Sequence, residues 1–260
     1  MNILLKQTQV PLMFLIVGML LFTVTPMMPF TVPASRTFTG LLMCLILFGL
    51  SVWLIKRDGL QLSDVNLRPD NHTPARLALG FGVGAVIVGL MFIALFNLTS
   101  LDYEKVVGQS PMPFILSSLV IIPLALMEEL VFRGYPFFRL LTRIHVRYVI
   151  LITSILFGLS HLNDQNPLFT VLMGPGVWGL VYGVAAYISQ SLAVPLGLHV
   201  AANFMQGIFG MKSYVDSLWM IQVSEADVAL MEVETLGIFM QIMLLVGAVI
   251  TLEAYIRFKR

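Results

Sequence analysis

Eight apolar stretches, near residues 10–28, 38–55, 77–98, 113–138, 148–162, 170–189, 194–209 and 235–256, follow one another along the chain with polar connections between them. Several approach the ~20 residues that carry a helix across a bilayer. Of all residues 58% are hydrophobic and only 11% are charged, and the mean hydropathy is +0.91. Soluble domains carry about 25% charged residues, so the expected fold is an all-α polytopic membrane helix bundle of about eight transmembrane helices. The fifth and seventh stretches are short, which implies tilt, local thinning or incomplete crossing; seven crossings is the alternative count. No internal repeat or low-complexity tract interrupts the pattern, and a single integral membrane domain is expected over residues 1–260. Val32-Pro33-Ala34-Ser35 imitates the small-residue cleavage site of a signal peptide. The segment before it has only Lys6 as a basic residue and is long enough to span, so a retained helix is the simpler reading.

Net charge is +1, which argues against a nucleic-acid partner. Its distribution says more. With eight crossings one face carries Lys6, Lys56, Arg57, Arg68, Arg76, Arg139, Arg143, Arg147, Arg257, Lys259 and Arg260, and the other only Arg36, Lys105 and Lys212. That second face holds Asp102, Glu104, Asp164, Asp216, Glu225, Asp227, Glu232 and Glu234. The positive-inside rule then puts both termini in the cytoplasm of a multi-pass protein of the cell (inner or plasma) membrane. Cys44 is the only cysteine, so no intramolecular disulfide can form, and it reads as a small apolar residue within a span.

Against this background Glu128 and Glu129 stand out, because a charge at bilayer depth costs at least ~2.5–3.5 kcal/mol. Arg133 follows Glu129 by four residues, so the two share a helix face and can pair, while Glu128 is rotated away to face something else. His161 ends the fifth stretch, and His199 and Asn203 lie four apart on the seventh. At 1.5 Å per residue from the basic face, Glu128 lies roughly 16 Å deep and His161 roughly 21 Å deep. His199 and Asn203 lie roughly 9 and 15 Å below the start of their helix. The four can therefore converge in one buried layer. Pro123 should kink the fourth helix five residues before Glu128, Pro136 should bend or end it just after Arg133, and Pro195 fits a first helical turn. The site is expected to open toward the cytoplasm or sideways into the bilayer.

A carboxylate in such a cavity suits a general base that activates water. An imidazole can orient that water, and an asparagine amide with an imidazole N–H can hold the oxyanion of a tetrahedral intermediate. Glu128, His161, His199 and Asn203 thus contain the parts for amide hydrolysis without a covalent nucleophile, and no G-x-S-x-G string occurs. Glu128, His161 and His199 also make a plausible zinc set with one open position, although H-E-x-x-H is absent.

The order and spacing resemble the CPBP intramembrane endopeptidases, which include the type II CAAX prenyl endopeptidases and bacteriocin-immunity proteins. Their pattern is EExxxR, then FxxxH, then HxxxN or HxxxD. Here it reads Glu128-Glu129-Leu130-Val131-Phe132-Arg133, Phe157 to His161, and His199 to Asn203, with Arg133-Gly134-Tyr135 and Leu192-Ala193-Val194-Pro195 flanking. The resemblance covers about residues 113–209, a catalytic core within the bundle. It implies that Glu128 activates water beside His161, that His199 and Asn203 hold the oxyanion, and that Glu129 and Arg133 are structural or position Glu128. It also implies a mostly metal-independent mechanism, with zinc as the alternative cofactor, and a membrane-associated or lipidated protein or peptide substrate.

The plainer alternatives are polar clamps between helices for the glutamates, interhelical bonding for His199 and Asn203, and an interfacial position for His161. His72 and His145 read as solvated, and Trp53, Trp178 and Trp219 as interface anchors or packing residues. Two further functions stay open beside the peptidase: a non-enzymatic immunity, scaffold or secretion-accessory protein of the same fold, and a proton-coupled transporter using the two glutamates. The repeats that favour a transporter are not seen.

Overall fold

The computed structural model describes the backbone of residues 3–24, 33–163, 166–223 and 230–259, with side chains over 8–21, 36–163, 166–223 and 230–259. Val32, Asp164, Glu225, Asp227 and Arg260, and the side chains of Lys6, Pro33, Ala34 and Ser35, lie outside the described residues.

The eight apolar stretches are mostly helical where described. They form α1 (Ile3–Val24), α2 (Pro33–Arg57) and α3 (Thr73–Leu98), then α4 (Pro111–Ser118), α5 (Ile121–Phe132) and α6 (Tyr135–Leu141) in succession. After them come α7 (Val146–Leu159), α8 (Leu168–Val171), α9 (Val177–Ser189), α10 (Ala193–Ile208) and α11 (Val233–Phe258). Among the described residues five helical runs are long and apolar enough to cross a membrane: 36–57, 73–98, 111–141, 168–189 and 233–258. Thr8–Leu21 and α7 are shorter, and α10 has 16 residues. The fold is thus an all-α polytopic bundle. The long helices keep large apolar side chains outward, as on α2 (Leu45, 71% exposed) and α3 (Val86, 62% exposed), which suits lipid.

Proline chemistry sets the breaks. The expected kink near Pro123 lies slightly earlier, at Leu119–Val120, and Pro123 sits in the first turn of α5. A proline ring clashes with the carbonyl four residues before it, so the strain falls a turn upstream. The second break comes just after Arg133, as the sequence suggests. A Cβ on Gly134 would lie 2.2 Å from the Leu130 carbonyl oxygen, so only glycine fits there, and Pro136 opens the next helix. Between α8 and α9 the helix widens into a π-type turn at Leu172–Gly176 that contains Pro175.

One element goes beyond helices. Strand β1 (Leu101–Lys105) pairs antiparallel with β2 (Trp219–Val223), with Tyr103 opposite Ile221. Phe96 and Phe209 pack with Tyr103, which also meets the Trp219 ring edge-on, and Phe92 packs on Phe96 and Phe209. The ribbon ties the α3–α4 connection to the α10–α11 connection. Arg36, at the start of α2, stacks over Tyr214 on this same side. The other connections meet one another elsewhere: Asp58 accepts from Tyr135 and Arg139, Asn66 bonds Gln190, and Arg147 pairs with Glu253. The Asp58–Arg139 and Asn66–Gln190 contacts join connections that eight crossings would put on one face.

Two close crossings hold the centre. A Cβ on Gly80 of α3 would lie 2.1 Å from the Val194 carbonyl oxygen, and one on Gly197 of α10 would lie 2.2 Å from that of Leu77. Gly84 meets Ala201 and Leu198 in the same way. Gly80-x-x-x-Gly84 against Gly197-x-x-x-Ala201 is the small-residue packing that lets membrane helices approach backbone to backbone. Gly158 and Gly176 bring α7 against the π-type turn.

Candidate active site

The site grows from α5, whose last two turns carry Glu128, Glu129 and Arg133 into the bundle. Glu129 and Arg133 are fully buried, and their i,i+4 spacing sets Arg133 Nη1 3.2 Å from Glu129 Oε1. Arg133 Nη2 donates to the Gly179 carbonyl of α9 at 2.7 Å, and its guanidinium lies 4.5 Å from the centre of the Phe157 ring. Gly179 leaves room for this: a Cβ there would sit 3.1 Å from Arg133 Nη2 and from the Phe157 ring. Burying a charged pair is costly unless hydrogen bonds complete it. Here Glu129 Oε2 and Arg133 Nε have none.

Glu129 also reaches α10. Its Oε1 lies 2.9 Å from His199 Nδ1. A carboxylate oxygen only accepts, so Nδ1 carries a proton and Nε2 is left for the cavity. The His199 ring stacks on Tyr182 of α9, with centroids 4.8 Å apart and planes at 17°. His161 is held in a parallel manner, with Nδ1 2.9 Å from the Phe157 carbonyl oxygen one turn back. That oxygen accepts only, so Nε2 is again the free nitrogen. Phe157 itself is buried, edge-on to Phe132 and in contact with both imidazoles.

The two free nitrogens flank Glu128. Its Oε2 lies 3.9 Å from His161 Nε2 and 3.8 Å from His199 Nε2, and it makes no hydrogen bond. Glu128 is 21% exposed and His161 37%, whereas His199 is 6%. Asn203 follows His199 by one turn on the same face of α10, half-buried, with no hydrogen bond among the described residues. The sequence-derived set therefore divides. Glu128, Glu129, Arg133, Phe157, His161 and His199 form one contiguous cluster, and Asn203 stands a turn away.

The spacing also tests a metal. A tetrahedral zinc bonded at ~2.0–2.2 Å needs donor–donor separations of roughly 3.3–3.6 Å. The Glu128–histidine separations exceed that, and among the described residues no three His, Cys, Asp or Glu side chains are placed to share an ion.

Three features escaped the sequence reading. Tyr182 lies beneath His199, with only Trp178-Gly179-Leu180-Val181-Tyr182 on an apolar helix to hint at it. The Glu129–His199 contact joins residues 70 positions apart and leaves no local signal. The third is the segment after α10. Tyr214 packs against the buried cluster of Phe114, Val120, Ile121 and Val215. Burial, then the negative charge of Glu128, push its hydroxyl up to about 12, against the pull of Arg36. Burial holds the Lys212 ammonium below its usual range, and Glu128 pulls it back up. A ribbon-side lysine thus feels the charge of the site.

Residues 108–205 match the model of the type II CAAX prenyl endopeptidase family, Rce1-like. The matched segment carries the whole cluster from Glu128 to Asn203. The Rce1-like segment runs from just before α4 almost to the end of α10, close to the 113–209 of the motif resemblance. It leaves out α1–α3, α11, the ribbon, Arg36 and Lys212. No curated protein matches the chain. Five described helical runs able to span a bilayer, together with the match to the Rce1-like model, point to a multi-pass membrane protein.

Proposed function

We propose that the chain is an intramembrane endopeptidase of the glutamate type, acting on membrane-associated or lipidated proteins or peptides. The observation that carries the reading is the Glu128 Oε2 atom, free of hydrogen bonds and flanked by two imidazole Nε2 atoms at 3.8 and 3.9 Å. A water there donates one O–H to Glu128 and the other to His161 Nε2, which aims its lone pair at the scissile carbonyl carbon. As the C–O bond forms, Glu128 takes the first proton. The oxyanion accepts from the Asn203 amide and from His199 Nε2–H when that ring carries both protons. Glu129 against Nδ1 holds that ring in place through a hydrogen bond. The tetrahedral intermediate then collapses, the C–N bond breaks, and Glu128 returns its proton to the leaving amine. Glu129 and Arg133 position His199, and no step uses a metal. The excess of basic residues on one side supports a cell-membrane protein with both termini cytoplasmic.

Glu128→Gln tests the assignment, because the amide keeps the shape but cannot accept the proton. Cleavage of a membrane-anchored substrate, identified by comparing membrane proteomes with and without active protein, should fall by about 10²–10⁴-fold. Unchanged turnover by a folded Glu128→Gln protein would end the glutamate mechanism.

A further inference from the structure

Away from the glutamates, two cavities run into each other where the α2–α3 connection meets the start of α10. One is a polar basin of about 640 Å³, lined by Ser63, Asn66, Arg68, Arg76, Ser189 and Gln190. The other is a groove of about 660 Å³ with almost wholly apolar walls, including Leu41, Leu45 and Phe48 of α2, Leu126 and Leu130 of α5, and Leu196 of α10. Asn66, Arg68, Pro69 and Ser191 line both, so the two are continuous. Each falls within the ~300–1,000 Å³ of ligand sites. The groove touches the face of α5 that points away from Glu128, so it is separate from the proposed active site.

The charges in the basin are unequal. Arg76 is neutralised by Asp70 at 3.0 Å. Arg68 makes no ion pair or hydrogen bond among the described residues and is exposed. The basin therefore offers one uncompensated guanidinium, with the Asn66 and Gln190 amides beside it. Its level along the bundle is marked by Trp53, 57% exposed, with the Arg57 guanidinium 5.6 Å from its ring centre. Exposed tryptophan and arginine at a helix end belong at the headgroup level of a bilayer. A cation at that level over an apolar slot fits one kind of molecule: an anionic headgroup on an apolar chain.

We propose that this composite cavity is a specific site for an anionic phospholipid, its phosphate against Arg68 and one acyl chain in the groove between α2, α5 and α10. Basic pockets between transmembrane helices recognise such headgroups through the same charge pairing. The site lies largely on elements outside the Rce1-like segment and stands or falls independently of the peptidase reading.

Native mass spectrometry of the full chain, reconstituted with equal phosphatidylglycerol and phosphatidylcholine, tests this. The wild type should retain phosphatidylglycerol preferentially. Arg68→Gln should cut the phosphatidylglycerol-to-phosphatidylcholine ratio about five-fold, the worth of one basic residue against an anionic lipid surface, and Arg68→Lys should keep it. Leu45→Trp, which fills the groove from an exposed position, should lose both lipids without a change in melting temperature. Equal ratios in wild type and Arg68→Gln, or full retention by Leu45→Trp, would overturn the site. So would glycerol 3-phosphate binding as tightly as the lipid, which would make it a soluble-anion site. A prenylated peptide that displaces lipid equally from wild type and Arg68→Gln would make the groove a substrate site instead.

Discussion

Glu129 is fully buried and has two partners, the Arg133 guanidinium and the His199 ring. Removing one member of a buried pair typically costs about 3–5 kcal/mol, because the other is left uncompensated. Arg133→Met and Glu129→Leu should each lower the melting temperature in detergent sharply. The double substitution should regain much of the stability of either single one, yet leave cleavage impaired, because His199 has lost the group that orients it. If the double were no more stable than the singles, the pair would not be the unit described. The second residue-scale prediction concerns zinc. We propose that Glu128, His161 and His199 act without zinc, their Glu128–imidazole separations of 3.9 and 3.8 Å being longer than tetrahedral zinc donors take, and elemental analysis of purified protein should give far less than one zinc per chain. One zinc per chain, lost with activity in His199→Ala, would replace the water mechanism with a metal one.

At the scale of elements, α10 is placed by α3. Their crossing depends on Gly80, Gly84 and Gly197, where a Cβ would meet opposing atoms at 2.1–2.9 Å. Overpacking of this kind costs typically 1–3 kcal/mol. Here it would also push α10 outward, with His199 and Asn203 on it. Gly80→Ala should therefore lower both melting temperature and cleavage. Gly82→Ala is the control: nothing lies within 4 Å of its Cβ position, and alanine is the better helix former by roughly 1 kcal/mol. It should leave activity intact and stability equal or higher. Equal behaviour of the two variants would mean that the α3–α10 contact does not set the site.

For the whole molecule, the connections sort into two sides without any reference to charge. The ribbon joins residues 101–105 to 219–223, and Arg36 covers Tyr214. On the opposite side Asp58, Arg139, Asn66 and Gln190 meet. The charge bias then orients the two sides relative to the cytoplasm. Single cysteines at Arg143 and Lys105, both exposed, should react with a polar maleimide from opposite sides of sealed vesicles, Arg143 from the cytoplasmic one. Native Cys44, buried and bonded to the Pro123 carbonyl, should stay silent. Labelling of both from one side would break the eight-crossing arrangement. The site was expected to open toward the cytoplasm or sideways. Its charge is felt at Lys212 and Tyr214 on the ribbon side, so access from that side is the competing outcome, and a cysteine at Ser213 tests it under the same reagent.

Much of this was local enough to read from residues alone. Apolar runs of membrane length made the helices, Pro136 marked the end of α5 just after Arg133, and the four-residue steps from Glu129 to Arg133 and from His199 to Asn203 put each pair on one helix face, because helical geometry is periodic. Packing was not legible, and the reason is physical. In water, apolar periodicity marks the buried face of a helix. In lipid, the buried and exposed faces are both apolar, so nothing in the pattern of α3 announced that Gly80 and Gly84 meet α10. The same holds for Tyr182 beneath His199 and for the basin at Arg68. The sequence determined the helices and the chemical groups they carry. Only the tertiary structure decided that Glu129 holds His199 across 70 residues, and that both imidazoles turn their free nitrogens toward Glu128.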